Sequence, residues 1–154
     1  MSTVYEIAAL VAAVGAGLVA GLCFTFASFL MRSFDRLGAP QAIRAMQSLN
    51  AEILRSSAMV VWIGTAIVGG IVGLLAALGH GSIVGLVAGA VYGMGALLIT
   101  GRGNVPLNEA LDRVDPDSPE AEEAWTRYRT EWGRWNAMRT LLCAVASAGF
   151  ALAL

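Results

Sequence analysis

The sequence predicts an all-α membrane protein. Four transmembrane helices form a bundle, an amphipathic helix lies between the first and second spans, and the fourth helix extends into the cytoplasm. Three observations carry this reading. The 154 residues are 57% hydrophobic and 14% charged, whereas a soluble domain is about half apolar and about a quarter charged. Ile7 to Met31, Ser56 to Gly101 and Thr140 to Leu154 contain no Asp, Glu, Lys or Arg. A helix crosses about 30 Å of hydrocarbon with about 20 mostly apolar residues, so the first stretch suffices for one helix and the second for two.

Taken in order, the first stretch is too long for a signal-peptide core. It lacks a basic leading segment, and "MRSFDR" does not look like a cleavage site, so the helix is read as retained. Within the second stretch, "LGHGS" (Leu78 to Ser82) is the natural turn, because glycines flank its only ionisable side chain, His80. The last stretch is long enough only if it begins near Trp135. This gives one domain over residues 1–154, with spans at about 5–31, 56–78, 82–102 and 135–154.

All ten basic residues are arginines. Four (Arg32, Arg36, Arg44, Arg55) lie in the first connection and six between Arg102 and Arg139. With four spans, both arginine-bearing segments share a side. The positive-inside tendency makes that side cytoplasmic, with both termini outside a bacterial-type plasma membrane. The net charge of −1 gives no reason to invoke nucleic acid. Cys23 and Cys143 are single thiols in apolar segments, which favours small buried residues over a disulfide or a metal site.

The first connection is helical. Pro40 starts a helix in "APQAIRAMQSLNAEILRS", and Ile43, Met46, Asn50 and Ile53 recur at helical spacing, widened by Leu49 and Leu54. The third span carries Gly81, Gly85, Gly89 and Gly93 at four-residue spacing, a smooth stripe where another helix approaches closely. Packing within the bundle is the first reading of this stripe; a homo-oligomer interface is the second. In "DPDSPEAEEAW", Ser118 or Asp117 caps a helix with Pro119 in its first position and Glu120, Glu122 and Glu123 facing the positive helix end. From there to Leu154 no proline or glycine pair intervenes, so one long helix enters the membrane after a cytoplasmic first half.

On that helix Trp125, Tyr128, Trp132, Trp135, Arg139 and Leu142 form one stripe, with Asn136 beside it. An interfacial aromatic belt explains the tryptophans and snorkelling explains Arg139. Equally, an arginine at membrane depth needs a partner or a wet cavity. In "TGRGNVPLNEALD", Asn104 reads as the cap of a new short helix after a span ending at Gly101 to Gly103, with Pro106 in its first turn. Capping does not explain Asn108. The four-span topology gathers Asn50, Asn104, Asn108, Trp132, Trp135, Asn136 and Arg139 at one cytoplasmic mouth, approached by Phe26 of "FTFASF". Asn108 is expected near Arg139 or Trp135. Aromatic walls with amide and guanidinium donors suit a planar, oxygenated, lipid-soluble ligand such as a phenol or quinone.

"FASFLMRSFDRLG…AIRAMQSLN", "NVPLN" and "W…WNAMR" resemble the anthrone oxygenase-like family of small four-span membrane proteins, over roughly residues 10 to 154. The resemblance implies oxidation of a planar phenolic or anthrone-type substrate to a quinone by O₂, with no metal or organic cofactor. On that basis Arg139, Asn108 and Asn136 are the candidate catalytic residues. Asn50, Asn104, Trp132, Trp135 and Phe26 are the candidate substrate-binding residues. An anthrone carries an acidic CH₂, and its anion reacts with O₂ directly, so the protein needs mainly to hold the ring and stabilise oxyanions. No His or carboxylate lies among the matched residues; Asp35, Glu52 and Glu109 are near only in sequence. That absence suits a self-activating substrate and equally a non-catalytic module that binds a quinone or a partner. The expected partners are the lipid bilayer, a planar hydrophobic small molecule and O₂.

Overall fold

The computed structural model describes residues 2–154, which form five helices. They are α1 (Thr3–Asp35), α2 (Ala39–Ile53), α3 (Ser57–Ala77), α4 (Ile83–Asp112) and α5 (Ala121–Leu152). Three of them, α1, α3 and α4, are long and apolar enough to cross a membrane. The four long helices lie side by side: α1 packs on α3 and α5, and α4 packs on the same two. The short α2 covers the outer half of α5.

The faces of α1 are sorted by size. Its buried side is Ala9, Ala12, Ala16, Val19 and Cys23, while Ile7, Leu10, Val14 and Leu18 are exposed. A water-soluble helix buries its large apolar residues; a lipid-embedded one keeps small residues at its contacts and turns large ones outward. The same holds for α3, where Gly69 and Gly73 are buried and Ile67, Ile71 and Leu74 are exposed. These faces mark the chain as an integral membrane protein.

The turn at "LGHGS" forms as its glycines demand. His80 N–H donates to the Leu75 carbonyl at 2.9 Å and Gly79 N–H to Ala76 at 3.1 Å. This is the paired closure of a Schellman motif, and Gly79 supplies the left-handed residue it needs, with φ +82°. Beyond the turn, Tyr5 packs on Gly81 and Gly85, and its hydroxyl accepts from Ser82 N–H at 3.1 Å. Gly89 faces the Gly69 backbone. Three members of the glycine stripe are thus occupied within the chain, and only Gly93 has open space beside it.

Two helix boundaries differ from the sequence reading. α4 does not stop at Gly101 to Gly103. It runs through Pro106 to Asp112, and Asn104 sits in helical backbone (φ −76°, ψ −42°) with no capping bond. The chain accommodates Pro106 by widening: Gly93–Asn104 is π-helical, and Val105 N–H donates to the Thr100 carbonyl five residues back. A proline in an α-helix removes one bond and clashes with the carbonyl four residues earlier; a π segment already re-pairs the backbone there. A second π turn, Phe26–Leu30, lies in α1. α5 begins at Ala121 rather than Pro119, and neither Ser118 nor Asp117 caps it. Residues before it form turns instead, with Asp117 N–H bonded to the Asp115 carboxylate at 3.0 Å.

A methyl group added at Gly89 would stand 2.6 Å from the Gly69 carbonyl oxygen, whereas one at Gly93 meets nothing within 4 Å. Alanine gains about 1 kcal/mol of helix propensity over glycine, but overpacking costs about 1–3 kcal/mol. Gly89→Ala should therefore lower the thermal midpoint of the detergent-solubilised protein, and Gly93→Ala should leave it unchanged or raise it.

Candidate functional site

The buried stripe of α5 sets the site. It runs Trp125, Tyr128, Trp132, Asn136, Arg139 and Cys143. The sequence reading routed this stripe through Trp135 and Leu142. Trp135 is in fact 36% exposed, packed across Gly103, and Leu142 is half-buried. From Trp132 a helix face continues equally to the third or the fourth residue, and the amide at 136 takes the inner position.

Arg139 is 7% exposed and has no carboxylate partner among the described residues. Its Nη2 donates to Asn136 Oδ1 at 2.7 Å and its Nη1 to Thr100 Oγ1 at 3.4 Å. The guanidinium carbon lies 4.9 Å from the Trp62 ring centroid and 5.6 Å from that of Trp132. A cation over indole faces is attracted by the ring quadrupole, most strongly where water is excluded. Asn136 passes the contact on, donating from Nδ2 to the Cys23 carbonyl at 2.9 Å. Trp62 is fixed in turn: its Nε1 donates to the Ala96 carbonyl at 3.0 Å, and the Tyr92 hydroxyl donates to the Trp62 carbonyl at 3.1 Å.

Asn104 joins this cluster from α4. Its Nδ2 donates to the Trp132 carbonyl at 3.3 Å, and the residue is 1% exposed. Phe26, half-buried, meets Trp132 with ring centroids 5.4 Å apart and planes tilted by 59°. Three buried polar atoms in the cluster have no partner: Asn104 Oδ1, Trp132 Nε1 and Arg139 Nε. Buried polar groups are nearly always paired, so three orphans on adjoining residues call for an explanation. One acceptor and two donors are thus left without a partner on residues that touch one another.

Asn108 and Asn50 do not belong to this cluster. α4 and α5 run antiparallel, and Asn104 is level with Trp132, so Asn108 falls level with Tyr128. The Tyr128 hydroxyl donates to Asn108 Oδ1 at 2.8 Å. Asn50 donates to Asp112 Oδ1 at 3.2 Å. The single mouth expected from topology is therefore two layers one helical turn apart. Tyr128 connects them, since its ring stacks on Trp132 with centroids 5.9 Å apart. Beside it a cavity of about 320 Å³ is lined by Leu107, Leu111, Val114, Glu120, Glu123 and Arg127.

The three carboxylates considered as bases stand elsewhere. Asp35 accepts from Trp125 Nε1 at 3.1 Å and from Arg129 Nη1 at 2.7 Å. Glu52 and Glu109 are exposed. Among the described residues no group of His, Cys, Asp and Glu could hold a metal ion, and both cysteines are buried free thiols. Sequence reasoning missed Trp62, Thr100 and the Cys23 carbonyl. Trp62 was the detectable one, a lone tryptophan at the entry of an otherwise aliphatic helix.

The cluster joins Asn104, Trp132, Asn136 and Arg139 within one stretch of chain, and the family model for anthrone oxygenase matches residues 53–149, which contain all four. The chain belongs to the anthrone oxygenase family. No curated relative and no solved structure matches it. The family match begins at residue 53, after the whole of α1, yet Cys23 and Phe26 of that helix complete the cluster.

The Tyr128 phenol, outside the apolar stretches, is pushed well above the ordinary tyrosine value by burial and then by the charge of Asp112, against the pull of Arg139. An unfolded chain releases that proton near pH 10, while the folded chain holds it. Stability is therefore full below about pH 10 and falls above it. Thermal midpoints measured at about pH 8 and about pH 11 should drop less in Tyr128→Phe than in the parent.

Proposed function

We propose that the chain is a four-span membrane oxygenase of a planar phenolic or anthrone-type substrate, using O₂ without a metal or organic cofactor. The observation that carries this reading is the trio of unpartnered atoms, Asn104 Oδ1, Trp132 Nε1 and Arg139 Nε, buried beside an uncompensated guanidinium. The family match supports the reaction class. In this reading α5 supplies the fourth span from about Trp135, α2 is the amphipathic helix at the membrane surface, and the first half of α5 is the cytoplasmic extension. Phe26, half-buried against Trp132, is the side chain whose rotation admits a flat ring from the lipid side.

The chemistry balances without a further reactant. The substrate CH₂, opposite the carbonyl in the central ring, loses one proton, and the carbanion bonds to O₂, which is reduced to a peroxide anion. That anion takes up a proton. Loss of the second C–H proton forms the new C=O as the O–O bond breaks and water leaves. Negative charge sits first on the enolate oxygen and then on the peroxide. Arg139 and Trp132 donate to it, while Asn136 and Thr100 hold the guanidinium in place. Fixed donors aimed at developing charge in a dry site are the strongest catalytic device such a cluster offers.

Purified protein in detergent should consume O₂ with an anthrone faster than buffer does. Trp132→Phe, which keeps a ring and removes one donor, should slow it about a hundredfold; Arg139→Met should abolish it. No rate above buffer from a folded wild-type protein would eliminate the oxygenase reading. A second reading, a non-catalytic quinone-binding module, is favoured by the lack of any His or carboxylate in the cluster. It predicts saturable quenching of tryptophan fluorescence by a quinone with no O₂ uptake.

The orientation is tested separately. A membrane-impermeant maleimide added to intact cells should label His80→Cys and not Glu122→Cys, because both residues are exposed and the proposed topology puts them on opposite sides. Reversed labelling would invert the assignment.

A further inference from the structure

Hydrogen bonds between the helices fix which residues share a level. Asn104 is level with Trp132, Asn136 with Cys23, and Trp62 with Ala96. Counting along antiparallel helices, Arg102 is level with Arg134. Arg55, seven residues before Trp62, is level with Arg102, six after Ala96. Arg32 lies six residues beyond Phe26, itself level with Trp132. At 1.5 Å per residue this is about 9 Å further out, and the Arg32 guanidinium reaches back to donate to the Ser28 carbonyl. Arg55, Arg102 and Arg134 therefore stand at about the same depth, and Arg32 is rooted further out with its guanidinium turned back toward them.

All four arginines are exposed, and none is paired with a carboxylate among the described residues. The arginines that are paired, Arg44, Arg127 and Arg129, lie further out, on Asp117, Glu131 and Asp35. The remaining acids on this side, Glu52, Glu109, Asp112, Asp115, Glu120, Glu122 and Glu123, also lie beyond the apolar segments. Charge is thus graded along the helices: unpaired guanidinium groups next to the apolar segments, and mixed charge with more acids than arginines beyond them.

We propose that Arg32, Arg55, Arg102 and Arg134 form a collar that binds the phosphates of anionic phospholipids around the mouth of the four long helices. Guanidinium groups grip phosphate through two parallel hydrogen bonds, and long arginine stems let the head sit at the headgroup plane. An arginine near an anionic surface strengthens binding about fivefold, and the four act on one leaflet. The collar rests on the four-span placement proposed above and is independent of the oxidation, since lipid retention is read without O₂ or an anthrone.

The test is native mass spectrometry of the full chain from micelles containing equal phosphatidylglycerol and phosphatidylcholine. The wild-type protein should retain phosphatidylglycerol at least about tenfold over phosphatidylcholine. The triple variant R55Q/R102Q/R134Q should lose that preference, and R55K/R102K/R134K should keep most of it. A double variant of outlying arginines, R44Q/R113Q, should behave as wild type. Equal retention of both lipids by the wild type overturns the proposal, as does a preference that survives in the glutamine variant. Displacement of phosphatidylglycerol by millimolar inorganic phosphate also overturns it, since it would indicate a free-anion site instead of a lipid surface.

Discussion

A full positive charge held almost out of contact with water organises this molecule. Arg139 lies in the apolar part of α5 without a counter-ion, and leaving such a group unsatisfied costs several kcal/mol. Each long helix contributes to meeting that cost. α5 offers Asn136, α4 offers Thr100, α3 lays Trp62 against the guanidinium, and α1 anchors Asn136 through the Cys23 carbonyl. Because the contacts come from four helices, the charge fixes their mutual register as well as its own position. Shifting α3 or α4 by one residue would strip Arg139 of a partner, and shifting α1 would take the acceptor from Asn136.

Close approach of the backbones makes this arrangement reachable. Trp135 can lie across α4 only because residue 103 is glycine, and Leu142 can do so only because residue 95 is. Both glycines fall in the π-helical segment that also absorbs Pro106 and delivers Thr100 and Asn104 to the cluster. π turns recur at functional sites because the extra residue re-aims the side chains around it. Here the two π segments, in α1 and α4, flank the same cluster: Phe26 begins one and Asn104 ends the other. The widened backbone gives up regular helix bonding where the side chains need new directions.

The parts of this design written in local pattern were legible from the sequence. Apolar runs gave the three long spans, the glycines of "LGHGS" gave the turn, and Pro40 with Ile43 and Met46 gave α2. Arg139, Asn136 and Trp132 stood out because polar residues at membrane depth need a reason. What failed depends on contacts distant in the chain. Asn104 looked like a cap because it precedes a proline, but a π segment made the cap unnecessary and freed its side chain for Trp132. Asn108 looked like a member of the same site, but one helical turn moved it to Tyr128. Thr100, Trp62 and the Cys23 carbonyl carry no local mark at all; only the packing of α1, α3 and α4 on α5 gives them a role.

The absence of a carboxylate beside Arg139 bears directly on how the proposed oxidation would start. A resident acid would neutralise the guanidinium and occupy its donors. An amide, a hydroxyl and two indole faces hold it in place and leave its charge available. An opposite charge within about 4–6 Å lowers the pKa of an acid by about 1–3 units. For a substrate whose C–H or O–H is already acidic, this pull replaces part of the work of a general base. The proton can then leave to water or to the substrate's own oxygen as the ring enters. In the proposed reaction the same uncompensated charge would discriminate between ligands: a neutral quinone would take only hydrogen bonds from Arg139 and Trp132, whereas the anion on the way to it would gain the full electrostatic term. On that proposal the cluster would favour the reacting anion over the product, which is the differential binding that catalysis requires.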